Sequence, residues 1–246
     1  MVRNFWKIVD SVMREADILL LVLDARMIER TDNPEIRKKA KRQGKTVITV
    51  INKADLVDKA YLEPWKKKMR PCVFVSAQKF YGMTMLRHAI LRHADATPVS
   101  VGVVGYPNTG KSSVINALKG RSSAPVSSVS GFTKGRQNIK VDNKIRVVDT
   151  PGVIANTDDK GSVELKISAS TNVSEDPDLV VFQLLKDYGE VILAHYGLDI
   201  ADYSDEEDML EAIAVKLNRF KSGSEPDIMT AARMVIQDWQ RGEFLL

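Results

Sequence analysis

Apolar positions along the first 120 residues alternate between two periods. Residues 2–14 space Phe5, Ile8, Val9, Val12 and Met13 three and four apart, one stripe of an amphipathic helix. The apolar run ILLLVL at 18–23, inside ADILLLVLDA, has the length and aliphatic character of a buried strand. Residues 34–43 read as a charged helix closed by Gly44. KTVITVINKAD (45–55), PCVFVSA (71–77) and VSVGVVGYP (99–107) read as three more strands, and a helix over 111–119 opens directly after a glycine-rich turn. QNIKVDNKIRVVDTPG (137–152) predicts a hairpin turning at Asp142 and Asn143. Strands alternating with helices predict an α/β fold whose mostly parallel sheet is covered on both faces.

After residue 152 the pattern changes. Residues 153–176 are rich in Ser, Thr, Asn, Asp and Gly and predict a loop leading into a new module. From Pro177 the period is helical to the end. YSDEEDMLEAIAVKLNRF predicts a helix with a Ser204–Glu207 capping box, burying Leu210, Ile213, Ala214, Leu217 and Phe220. EPDIMTAARMVIQDW predicts another, with Pro226 in its first turn and Gly242 as its end. The expected organisation is an α/β domain over 1–165 and a small all-α C-terminal domain over 166–246.

Charge divides the chain at nearly the same place. Residues 1–171 hold 30 Lys and Arg against 16 Asp and Glu, a balance of +14; residues 172–246 hold 6 against 16, a balance of −10. A basic body is the general footprint of a polyanion partner. Its densest segments are RKKAKRQGK (37–45) and KKKMR (66–70), which are either solvated helix faces or contacts to RNA. The longest apolar run is far short of a membrane span, and charges through the first residues argue against a secretory signal. A single cysteine, Cys72, allows no internal disulfide and fits the cytoplasm.

Four short motifs carry chemistry. GYPNTGKS at 105–112 fits the strand–loop–helix phosphate cradle. Gly105 and Gly110 permit the tight turn, the backbone from Pro107 through Asn108, Thr109 and Gly110 to Ser113 wraps the phosphates, and Lys111 reaches the β and γ oxygens. Ser112 is then a hydroxyl ligand for Mg²⁺, Thr133 of SGFTKG a second, and Asp149 of VVDTPG a ligand through water, with the Gly152 N–H facing the γ-phosphate. Lys111, Thr133 and Gly152 are the candidates for the hydrolytic step. NKAD at 52–55 selects the base: the Asp55 carboxylate accepts from N1–H and the 2-amino group of guanine, whereas adenine would present it a lone pair. Asn52 bonds the other edge of the ring and ties loops together, and the Lys53 stem packs over the ring. In Ser76-Ala77-Gln78 after the next strand, the Ala77 N–H is placed to meet guanine O6. The residue after Gly152 is Val153, which cannot orient an attacking water, so the isolated chain is expected to be a slow GTPase.

The order of the motifs is the unusual part. A conventional GTPase runs from phosphate loop to base reader; this chain runs NKAD, SAQ, phosphate loop, Thr133, DTPG. One cut and one join interconvert the two orders, and a parallel sheet tolerates that when the ends lie at the surface. With DAR at 24–26 after the first strand, the motif set resembles the circularly permuted GTPases, the YlqF/RbgA-like ribosome-assembly proteins, in their archaeal-type form. That resemblance covers residues 10–155 strongly and the helical part more loosely. It implies a P-loop GTPase domain, GTP and GDP as ligands, Mg²⁺, K⁺ at Asn108 by analogy with potassium-stimulated relatives, and contact with ribosomal RNA or the large ribosomal subunit. Two alternatives stand beside that function: a GTP-dependent regulator acting through a protein partner without RNA, and a GTP-binding scaffold that hardly hydrolyses.

Overall fold

The computed structural model describes residues 2–120, 138–148 and 176–246. Thr133, Asp149, Gly152, Val153 and the expected domain boundary therefore lie outside the described residues. The chain divides into two compact units, Met1–Asp159 and Lys160–Leu246.

In the first unit the strands are β1 (Ile18–Asp24), β2 (Thr46–Asn52), β3 (Cys72–Phe74), β4 (Val99–Val104), β5 (Asn138–Lys140) and β6 (Ile145–Val148). They form one sheet in the order β3-β2-β1-β4-β6-β5, parallel except for β5, which runs antiparallel to β6. The hairpin turn falls where expected: Asp142 Oδ1 accepts from the N–H groups of Lys144 and Ile145 at 2.6 and 2.9 Å.

The helices are α1 (Val2–Glu15), α2 (Ile28–Thr31), α3 (Pro34–Arg42), α4 (Lys59–Lys68), α5 (Met83–Arg92) and α6 (Lys111–Lys119). Only α2, α4 and α5 come without a sequence expectation. β1 is buried along its whole length because both of its faces are covered. Ile18, Leu20 and Val22 face a cluster with Leu86 and Ile90 of α5 and Val114 and Leu118 of α6. Leu19, Leu21 and Leu23 face Val12 and Met13 of α1, Ile36 and Ala40 of α3 and Leu62 of α4. The strand order reverses between β1 and β4, and such a reversal opens a crevice at the carboxyl ends of the strands.

The second unit holds α7 (Pro177–His195, kinked at Tyr188), α8 (Glu206–Lys216) and α9 (Ile228–Arg241), each packed on the other two. Trp239 fills its centre, 4.9 Å from the Tyr188 ring and 6.0 Å from Phe244. Three expectations are corrected here. The cap of α8 is Asp205, whose carboxylate accepts from the Asp208 N–H at 2.9 Å, while the Ser204 hydroxyl donates to the Asp208 carboxylate. Ser and Asp cap about equally well, and the turn here sets the Asp205 carboxylate, not the Ser204 hydroxyl, at the first free N–H groups, so the Ser204–Glu207 box does not form. α8 also stops at Lys216, which leaves Phe220 46% exposed in an isolated bridge with Pro226, and α9 opens after Asp227 rather than at Pro226. No helix among the described residues is long and apolar enough to cross a membrane.

Candidate functional site

β1, β2 and β4 run parallel, so the loops that follow them leave the sheet on one edge. The segment after β3 joins them there. NKAD, SAQ and the phosphate loop, far apart in sequence, thus meet at the crevice.

Asn52 is the junction. It is 2% exposed, and both ends of its amide are engaged: Nδ2 donates to the Thr109 carbonyl at 2.9 Å, and Oδ1 accepts from the Ala77 N–H at 3.1 Å. The expected tie between loops is there, with one amide hydrogen and one lone pair left over. The Ala77 N–H differs from expectation. Expected at guanine O6, it is donated in the structure to the Asn52 side-chain carbonyl oxygen. Gly110, at φ +90°, makes the junction possible: a Cβ there would stand 2.1 Å from Asn52 Nδ2.

In the phosphate loop, the Thr109 hydroxyl and the Lys111 ammonium both donate to the Tyr106 carbonyl, at 3.0 and 2.5 Å. Burial lowers the Lys111 ammonium to about 8. Thr109 is buried, Asn108 is exposed in the left-handed region at φ +56°, Pro107 is half-buried, and Ser112 and Ser113 lie exposed in the first turn of α6. The Tyr106 hydroxyl accepts from Asn33 Nδ2 at 3.4 Å, which ties the loop to the residue capping α3.

At the base-reading end, burial raises the Asp55 carboxyl, but hydrogen bonds from the Ser76 hydroxyl and Lys79 outweigh it and hold the group below its ordinary value. Ser76 is itself fixed: its Oγ accepts from the Lys79 N–H at 3.2 Å, and its backbone closes a short bridge with Tyr81. Lys79 Nζ sits 3.1 Å from Asp55 Oδ2. Gln78 is exposed. Lys53 adopts φ +60° and reaches Asp24 Oδ2 with its Nζ at 2.9 Å.

The family described as RsgA GTPase matches residues 16–157, and the family described as 50S ribosome-binding GTPase matches residues 100–219. The chain belongs to the circularly permuted GTPases. It is 38% identical to an uncharacterised GTP-binding protein of Methanocaldococcus jannaschii, over 96% of this chain and 65% of that protein. Nuclear/nucleolar GTPase 2 of Arabidopsis thaliana is 31% identical over 98% of this chain and 44% of its own length. GTPase grn1 of Schizosaccharomyces pombe is 31% identical over 98% of the chain and 60% of its own length. The chain thus spans between about half and two thirds of these relatives. Its fold matches YlqF from T. maritima bound to GNP, with a TM-score of 0.67 at 23% identity, covering 97% of this chain and 94% of that one.

Within this circularly permuted GTPase two sets of site residues lie beyond the motif reading. Lys79, the residue after SAQ, is one: its ammonium pairs with Asp55. Asp24 and Arg26 belong to DAR, which marks the family without suggesting a task. The signal for Asp24 was a carboxylate ending an otherwise apolar buried strand, since a buried charge calls for a partner.

Proposed function

We propose that the chain binds GTP with Mg²⁺ and hydrolyses it to GDP and phosphate as a switch in assembly of the large ribosomal subunit. The Asn52 bridge carries this reading: it locks the base-reading loop, the SAQ loop and the phosphate loop into one pocket rim despite their reversed order. Asp55, kept ionised, offers two oxygens to N1–H and the 2-amino group. Asn52 has a free hydrogen and lone pair for the ring edge. Lys111 and the backbone N–H groups from Asn108 to Ser113 would bind and orient the phosphates. Ser112, with Thr133 and, through water, Asp149 of the undescribed segments, would supply the oxygen donors that suit Mg²⁺, which would neutralise charge on the transferred phosphoryl group. Exposed Asn108 is the candidate K⁺ ligand.

The ribosomal partner is supported by the match to 50S ribosome-binding GTPases and by the basic outer helices. Lys38, Lys41 and Arg42 of α3 and Lys66, Lys67 and Arg70 at α4 are all exposed. The helical domain, proposed to begin near residue 166, is the element to be reoriented as the γ-phosphate is lost. Burial pushes the Cys72 thiol up to about 12, which disfavours the reactive thiolate, and a lone cysteine fits the cytoplasmic setting proposed here. The test is single-turnover GTP hydrolysis with and without large ribosomal subunits over a salt series. We expect slow turnover alone, an acceleration on the order of 10³-fold with subunits, and steep loss of that acceleration with salt. Fast hydrolysis by the chain alone, or an effect indifferent to salt, would overturn the reading.

A further inference from the structure

The buried charges at the end of β1 have no place in the reading above. Asp24 and Asn52 are register partners at the carboxyl ends of β1 and β2, so the DAR turn and the base-reading loop leave the sheet side by side. Asp24 Oδ1 accepts from the Arg26 backbone N–H and from Nε, both at 3.1 Å, and Oδ2 accepts from Nη2 at 2.9 Å. This two-pronged clamp fixes the carboxylate in the turn Ala25–Met27. The Asp24 N–H is held as well, donating to the Thr31 hydroxyl at 3.1 Å. Oδ2, already gripped by Arg26, also meets Lys53 Nζ at 2.9 Å.

These charges stand almost wholly out of water, with side-chain exposures of 0% for Arg26, 4% for Asp24 and 15% for Lys53. A buried ion cluster is a poor stabiliser, since well-packed apolar side chains of like volume do as well or better. Lys53 also takes a left-handed backbone conformation that a residue with a Cβ disfavours. Two unfavourable features converge on one residue of the base-reading loop, and strain of this kind gathers at functional sites.

We propose that Asp24 and Arg26 are positioning residues of the base pocket: Arg26 clamps Asp24, and Asp24 draws the Lys53 ammonium beneath the loop so that its four-carbon stem stands as a wall of the guanine slot. This rests on the guanine reading of NKAD. Burial tends to discharge Lys53, and Asp24 is the largest influence opposing it. Burial likewise opposes ionisation of Asp24, yet Arg26 and Lys53 outweigh it and hold its carboxyl far below the ordinary range. Asp55 reads the 2-amino group while Lys53 only bounds the ring, so the two act on separable properties of the ligand.

The experiment is a double-mutant cycle between Asp24→Asn and Lys53→Met, read as dissociation constants for GDP and for IDP, which lacks the 2-amino group. Lys53→Met keeps an apolar stem and removes the tether. Asp24→Asn should weaken GDP and IDP alike, about tenfold or more, and should add little once Lys53 is Met. The preference for GDP over IDP should survive Asp24→Asn and be lost in Asp55→Asn. If Asp24→Asn does not fold, the cycle is run between Arg26→Lys, which keeps a cation beside Asp24 but loses the two-pronged clamp, and Lys53→Met; Arg26→Lys should likewise weaken GDP and IDP alike and add little once Lys53 is Met. Equal losses from Asp24→Asn in both Lys53 backgrounds would overturn the positioning role and leave the guanine reading intact. No GDP binding by the unaltered chain would overturn the guanine reading itself.

Discussion

The two units bury different things. Every buried polar or charged residue among those described, Asp24, Arg26, Thr31, Thr49, Asn52, Ser76 and Thr109, belongs to the first unit. The described core of the second unit is aliphatic and aromatic, built on Val180, Leu184, Ile192, Leu210, Ile213, Val235 and Trp239. Burying polar groups is unfavourable unless each is hydrogen-bonded, so a fold keeps them where geometry matters more than stability. The first unit accepts that for a site; the second has none to hold among its described residues, and none of its described acidic residues is fully buried.

The largest break in that comparison should come from Asp55→Asn. It exchanges an acceptor for a donor opposite guanine N1–H, and GTP affinity should fall on the order of 10³-fold or more, with gain for xanthosine triphosphate. Nucleotide titration by fluorescence checks this, and unchanged GTP binding would refute the base assignment. Next is Trp239→Ala, which empties the centre of the helical unit. A loss of about 3–5 kcal/mol is expected from the transferred area and the cavity. GDP affinity of the first unit should stay put in the same chain; a parallel fall in affinity would show that the two cores are not independent.

A third effect follows from Lys111. In the free protein its ammonium is lowered to about 8 by burial. Phosphate binding needs the charged form, so affinity is full below that value and is lost as pH rises through it. GDP should bind about tenfold more weakly at pH 9 than at pH 7. A flat profile over that range, measured at constant ionic strength, would contradict the placement of this amine. The smallest effect belongs to Lys79→Ala. Lys79 is half-exposed and its pair with Asp55 is worth about 0–1 kcal/mol. Guanine must displace it from the carboxylate, so removing it should raise GDP affinity about two- to fivefold, and a loss of affinity would mean that Lys79 contacts the ligand favourably.

What could be read in the sequence was local. The phosphate loop, NKAD and the hairpin at Asp142 depend on residues within about ten positions, and the structure arranges the described ones as their spacing implies. The permuted sheet followed from motif order alone. The helical unit was legible as helices, but the ends of α8 were not. Ser204 and Asp205 are both competent caps, and only the geometry of the turn decides between a hydroxyl and a carboxylate one residue apart. Phe220 looked like core because it continues a helical period, which the chain abandons at Lys216. The contacts of Asp24, Lys79 and the Ala77 N–H were hidden for another reason. Apart from the local Asp24–Arg26 clamp, these contacts (Asp24 to Lys53, Lys79 to Asp55 and Ala77 to Asn52) join segments set by strand register, and register between distant strands leaves no mark in local spacing.

The strand order has one more consequence, in the entropy of closing the chain. β1 meets β2 across 28 positions, from Ile18 to Thr46, and β2 meets β3 across 23, from Thr49 to Cys72. β4 joins β1 only across 83, from Ile18 to Val101. The cost of loop closure grows with the logarithm of length, so the base-reading half can assemble from short closures while the phosphate loop arrives by the longest of the three. In the unpermuted order the phosphate loop would stand first in line. In the nucleotide site proposed here, a bound nucleotide would span the early-closing and late-closing halves, and its binding free energy would add directly to the contact that chain entropy opposes most.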